Sequence, residues 1–193
     1  MAAPREERGM PMPDDGELDE LAGRAAAGDR AALDALLARI GPQVLRQCLR
    51  FLPCLQDAEE ACQDTLLQVA RNIGGFGGRS RFSTWLYAVT ANCARQTYRG
   101  LKRRAGEHPV PVLPLDAADP RTTSVLVGSR LDLLDALERL ESHRPELVAP
   151  LVLRDVCQLT YEEVAEHLGI PMGTLKSRIH DARRHVRASL QGA

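Results

Sequence analysis

The chain has 193 residues, 44% of them hydrophobic and 4% aromatic, with 25 Lys and Arg against 26 Asp and Glu for a net charge of −1. That is enough apolar material for a real core, but alternating β-branched runs are nearly absent while Ala, Leu, Arg and Glu favour helix, so the fold class is all-α. No apolar run is long enough for a signal peptide or a membrane span, so membrane insertion is excluded and the protein is expected in the cytoplasm.

Residues 1–16, with Glu6, Glu7, Asp14 and Asp15 among Pro and Gly, read as a disordered acidic segment. A first small domain is read over 17–104. From Glu17 to about Leu52 the apolar positions Leu18, Leu21 and Ala25, then Leu33, Leu36, Leu37, Ile40, Val44, Leu45, Cys48 and Leu49, predict two helices broken near Gly28 and Asp29. After Pro53, QDAEEACQDTLLQVARNI turns Ala58, Ala61, Cys62, Thr65, Leu66, Val69 and Ile73 inward at helical spacing and leaves Asp57, Glu60, Gln63, Asp64 and Arg71 outward. That polar face is available to a partner.

The loop GGFGGRS carries Phe76 among four glycines with no packing neighbour evident in sequence, and glycine there lets backbone approach a ligand closely. In RFSTWLYAVTANCARQTYRGLKRR, Trp85, Leu86, Val89 and Cys93 share an apolar sector, and Asn92 falls in the same sector, where an unpaired amide is costly. Arg95, Arg99, Lys102, Arg103 and Arg104 accumulate toward the end of that helix. Aromatics beside a basic track suit single-stranded nucleic acid, because bases stack on rings while cations follow the backbone; for Trp85 alone, packing in the core is the preferred reading. Residues 105–128 hold a run of prolines too dense to coil and too polar to be core, which reads as a flexible tether. It separates two small cores.

The second domain is read over 129–190 and ends in TYEEVAEHLGIPMGTLKSRIHDARRHVR. Thr160 caps a helix, Glu163 completes a capping box and Gly169 takes the left-handed position at its end. Pro171 and Gly173 permit only a short turn. On the next helix Leu175, Ile179, Ala182, Val186 and Leu190 form one apolar stripe, with Ser177, His180, Asp181 and Arg184 opposite and Lys176, Arg178, Arg183 and Arg187 on the flanks. This is a helix-turn-helix signature, one face packing and the other open to phosphates and base edges.

The near-zero net charge conceals segregation along the chain: Arg5 to Glu20 is mostly acidic, Arg95 to Arg104 and Lys176 to Arg187 mostly basic. Basic patches without an overall excess should hold free DNA weakly, so action on DNA is expected to need a partner. The five cysteines form no C-x-x-C pair and read as small buried hydrophobes, and the five histidines form no i, i+4 ligand pair. Neither metal nor cofactor is expected. With no phosphate-binding glycine loop, no Ser/His/Asp set and no paired carboxylates, the chain does not read as an enzyme.

The order DAEEACQDTLLQVARN, FGGRSRFSTWLYAVTANCARQ, linker, LTYEEVAEHLGIPMGTLKSRIHDAR resembles the extracytoplasmic-function sigma factors of bacterial RNA polymerase, from about Asp19 to Leu190. The domains would be that family's region 2 (17–104) and region 4 (129–190). The resemblance implies that Asp57, Glu60, Gln63, Asp64 and Thr65 lie on the helix gripping the clamp helices of the polymerase β′ subunit, with region 4 against the β flap. It implies that Phe76 and Asn92 help capture a base flipped out of the minus-ten element, with Arg95, Gln96, Arg99, Lys102 and Arg103 beside it. Arg154, Lys176, Ser177, Arg178, His180, Asp181 and Arg184 match positions at the minus-thirty-five element. An anti-sigma partner is implied by the family alone; without core enzyme, the apolar faces of the two domains are expected either to collapse together or to be held by such a protein.

The function so implied is that of an alternative sigma factor, binding core polymerase and directing promoter recognition, melting and initiation. The competing reading is a self-sufficient helix-turn-helix regulator, which has no need of the glycine loop and the basic helix bearing Trp85. Two departures from the family pattern are Gln96, where many members carry an acidic residue or asparagine, and Asp181, at a position often basic. A carboxylate accepts from a cytosine amino group but repels phosphate. Asp181→Arg is therefore expected to tighten promoter binding and relax its sequence choice; equal affinity and equal salt dependence in a binding titration would reject this.

Overall fold

The computed structural model describes residues 15–107 and 120–191, with side chains described over 15–104 and 130–190. The acidic stretch 1–14 and the middle of the tether, 108–119, lie outside the described residues. Eight α-helices occur among those described: α1 (Asp15–Ala26), α2 (Arg30–Phe51), α3 (Leu55–Asn72), α4 (Phe82–Glu107), α5 (Pro120–His143), α6 (Val148–Leu151), α7 (Tyr161–Leu168) and α8 (Met172–Gln191). A π-helical stretch, Val152–Val156, continues α6.

The break between α1 and α2 falls where Gly28 and Asp29 place it. Gly28 takes φ +97°, and Asp29 caps α2 by accepting from the Ala32 amide at 3.0 Å while Arg24 holds the same carboxylate at 2.6 Å. Long α2 is the centre of the N-terminal domain, with α1, α3 and α4 packed around it. Leu18, Leu36, Ile40, Val44, Leu52, Phe82 and Leu86 are fully buried there. In the C-terminal domain α5, α6 and α8 enclose Leu137, Leu147, Leu153, Leu175 and Ile179.

Two separate cores are not what forms. The buried side chains make one continuous cluster running through both domains, because α2 meets α5 while α4 meets both α7 and the π-helical stretch. Helix also reaches further into the expected tether than its prolines suggested, α4 ending at Glu107 and α5 opening at Pro120. A proline at the first helical position is tolerated because its missing N–H would have had no intrahelical acceptor. Asp15 and Gly16 likewise begin α1.

Replacing the fully buried Leu36 by Ala is expected to destabilise the fold by about 2–5 kcal/mol. Leu190→Ala, at a side chain 45% exposed, should change stability by less than about 0.5 kcal/mol. Urea denaturation of both variants checks the contrast.

Candidate nucleic-acid interface

Two surfaces carry the residues singled out in the sequence. The first is built by α4 and the glycine loop before it. Gly78 turns with φ +63°, and Phe76 folds back onto Phe82 (ring centroids 5.6 Å apart, edge-on) and Trp85 (5.8 Å). Phe76 is therefore half-buried in an aromatic cluster, contrary to the expectation of a lone ring; the partners lie beyond the reach of local pattern, on the next helix. Trp85 is itself only partly buried and packs against the core.

Along α4 the residues Arg95, Arg99 and Lys102 recur at helical spacing and share one side. Asn92 is exposed rather than inward, and its carbonyl accepts from Arg95 at 3.2 Å. Gln96 and Arg103 are exposed.

The cations on this side of α4 already have partners, and these come from α5. Arg95, with a side chain only 10% exposed, meets Glu141 at 2.5 Å, and Arg99 bonds the same carboxylate oxygen. Lys102 bonds Asp135 at 2.7 Å and Glu138 at 2.8 Å, and the Tyr98 hydroxyl donates to Asp135 at 2.9 Å. Burial pushes Asp135 and Glu141 up, but the bonds from Lys102 and Tyr98 to the one and from Arg95 and Arg99 to the other leave both below the usual carboxylate range. Burial, with Asp135 beside it, raises the Tyr98 phenol to about 12. The sequence reading missed this acidic stripe. Asp135, Glu138 and Glu141 at i, i+3, i+6 on RLDLLDALERLES were the available signal.

The glycine loop is covered too. Its cleft is lined by Phe76, Gly77, Arg79 and Trp85 on one side and by Glu166 and His167 of α7 on the other, with Ser80 Oγ 3.3 Å from His167 Nδ1. Burial holds the His167 imidazole below its ordinary value.

The second surface is the α7–α8 unit. Thr160 and Glu163 form the full capping box, and Gly169 closes α7 in the left-handed conformation at φ 63°. Leu175, Ile179 and Ala182 of α8 are buried and Val186 half-buried, while Leu190, read as part of the same stripe, is 45% exposed. Lys176, Ser177, His180 and Arg184 are exposed together and Arg178 is half-exposed. Asp181 pairs with Arg184 at 3.3 Å, and Arg183 is held by Asp155 at 2.6 Å. Arg154 stands apart: it donates to the Leu159 carbonyl at 2.7 Å and lies 4.8 Å over the Tyr161 ring, bracing the approach to α7.

On α3, Glu60, Gln63 and Asp64 are exposed and Asp57 half-exposed, but Thr65 is fully buried and donates to the Ala61 carbonyl at 2.7 Å. A short hydroxyl that can satisfy itself within the helix can face inward. Of the five cysteines, Cys48, Cys62, Cys93 and Cys157 are buried and Cys54 partly so, all as free thiols; burial raises Cys48 and Cys157 to about 12.

The geometry gives a helical protein with a capped helix-turn-helix unit whose α8 leaves polar and basic side chains exposed, and a second surface on α4 that is aromatic and basic. Sigma-70 region 2 matches residues 36–104 and Sigma-70, region 4 matches residues 130–186. The chain is 34% identical to "ECF RNA polymerase sigma factor SigE" of Mycolicibacterium smegmatis, over 88% of this chain and 68% of that one. It is 28% identical to "RNA polymerase sigma-H factor" of Pseudomonas aeruginosa, over 89% and 93% respectively. Its fold resembles that of CnrH, solved in complex with the cytosolic domain of CnrY, with TM-score 0.54 and 21% identity over 93% of this chain and 99% of that one. The chain belongs to the extracytoplasmic-function sigma factors of the sigma-70 family.

With His167 half-buried against the glycine loop and its imidazole held down by burial, the packing of α7 there is expected to depend on pH. Its imidazole is neutral in docked and undocked forms well above the ordinary value of 6.5, so there it adds no pH dependence. As pH falls through that value the undocked form binds its proton first, and docking weakens. Lowering pH from about 7.5 to about 5.5 should shift the emission of Trp85 reversibly to the red, and the shift should vanish in His167→Gln. A shift of equal size in that variant would show that His167 is not its source.

Proposed function

We propose the following division of labour for this alternative sigma factor, which binds core RNA polymerase and directs promoter recognition and initiation. The exposed carboxylate and amide face of α3, Asp57, Glu60, Gln63 and Asp64, docks on the β′ clamp helices, with region 4 on the β flap. Thr65 supports that helix from inside. The glycine loop and α4 receive the opened minus-ten strand. Phe76 and the exposed Asn92 flank the extruded base, Gln96 lies beside it, and Arg95, Arg99, Lys102 and Arg103 follow the phosphates. On α8, Lys176, Ser177, Arg178, His180, Asp181 and Arg184 face the minus-thirty-five major groove, and Arg154 serves mainly to position α7.

The observation carrying this reading is that one chain holds both matched regions, in order, with a capping-box helix-turn-helix and a basic α4 beside an aromatic cluster. The chain contributes no catalytic chemistry of its own and works in the cytoplasm with the polymerase; among the described residues no helix is long and apolar enough to cross a membrane. An anti-sigma protein is the regulatory partner to seek. Domains 17–104 and 129–190 act as separate units on the promoter, joined through 105–128.

Core polymerase supplemented with the purified protein should start transcripts at discrete sites on genomic fragments, and the bare core should not. Asp64→Arg, at an exposed position, should weaken association with core about tenfold or more without moving the melting temperature. Unchanged association in a pull-down titration would remove Asp64 from the docking face. A self-sufficient regulator would bind promoters without co-purifying with core.

A further inference from the structure

Arg95 is 8% exposed overall beneath Glu141, so no phosphate can reach it while α5 is in place. Arg99 and Lys102 are occupied from the same side, by Glu141 and by Asp135 with Glu138. The glycine loop is faced independently by Glu166 and His167 of α7. Two separate parts of the strand-binding surface are thus covered by the other domain of the same chain. By contrast the polar face of α3 and the exposed residues of α8 remain open.

We propose that the acidic side of α5 is a built-in substitute for the minus-ten strand: its carboxylates hold the cations of α4 that phosphates would otherwise hold, so the closed chain and the opened strand exclude each other. This rests on the reading of α4 as the strand-binding helix. It also sets an order of events. Polymerase can dock on α3 of the closed chain, the duplex can meet α8, and the single strand enters only after α5 has left α4.

The chemistry permits such an exchange. Carboxylates and phosphates are both anionic oxygen acceptors for guanidinium and ammonium groups, and most of these pairs are partly exposed, hence screened by salt. A direct bond between the domains elsewhere is long, Arg50 donating to the Val156 carbonyl at 3.5 Å.

The test compares two charge-matched triple variants of the full chain, Asp135→Asn/Glu138→Gln/Glu141→Gln and the control Glu20→Gln/Asp34→Asn/Glu59→Gln at exposed positions away from the contact. The probe is fluorescein-labelled oligo-deoxythymidine of about twenty nucleotides, read by anisotropy at about 50 mM salt and above. Opening α4 should tighten binding about tenfold and steepen the dependence of log affinity on log salt by about two units, three phosphates' worth. The control should gain less than about twofold. Equal gains in both variants would overturn the proposal, since net charge would then explain them. If the first variant fails to fold, Glu141→Gln alone, which releases both Arg95 and Arg99, should still gain about threefold, and no gain there overturns it as well. Run-off transcription by the wild-type chain with core polymerase separates the two failures: initiation without a gain in strand binding sinks only the α5 substitution, whereas no initiation sinks the functional reading beneath it.

Discussion

A guanidinium taken out of water must be paired where it lies, and Arg95 decides how the two halves of this chain meet. Its side chain is 10% exposed, and the Glu141 carboxylate at 2.5 Å stands where water or phosphate would otherwise be. Removing α5 would return that charge to water, where another anion could reach it. Because Glu141 also receives Arg99, one carboxylate neutralises two successive turns of α4. Lys102 repeats the device a turn later with two carboxylates for one ammonium. Position along α4 therefore fixes position along α5, and the placement of the helix-turn-helix unit over the glycine loop follows from it.

The strength of this arrangement is modest by its own physics. Exposed ion pairs contribute about 0.2–1 kcal/mol each, and Lys102 is 52% exposed. The ion pairs are therefore a minor share of the contact, and the buried apolar side chains that run on from one domain into the other carry the rest. A ligand present at a hundred times its dissociation constant, and binding only the open form, supplies about 2.7 kcal/mol. On the proposal that α5 leaves α4, such a ligand would work directly against the ion pairs that close the chain.

The helices and their faces were legible in the sequence because the signals are local. Asp29 after Gly28, Thr160 with Glu163, and Gly169 each act within a turn of themselves, and each performs the part its spacing implied. The misses share a different cause. Asn92 was assigned inward by its sector, but α4 is covered from two directions, so its exposed side is a narrow strip that period alone does not locate. Phe76 has its ring partners on the following helix. Thr65 faces inward as its spacing implied, its hydroxyl satisfied within the helix, so only its assignment to the polymerase-facing set sits uneasily with its place. The joining of two cores into one, and the acidic stripe on α5, depend on how distant segments meet. Only the complementarity of the stripe with Arg95, Arg99 and Lys102 was present to be read.

That complementarity also accounts for the charge balance that seems wrong for a protein meeting DNA. A net charge of −1 does not reflect weak basic surfaces; α4 and α8 are both dense in Arg and Lys. Beside the acidic residues of the N-terminal segment, it includes anions seated on one of the two surfaces, Asp135, Glu138 and Glu141 on α4. On α8 the acidic neighbours are fewer, Asp155 against Arg183 and Asp181 against Arg184, and Lys176 and His180 remain exposed. On the proposed assignment the two surfaces are prepared differently: the residues of α8 are exposed from the start, while a separated strand at α4 would have to displace an internal competitor. A covered strand site beside an open duplex site would then order the two contacts by electrostatics.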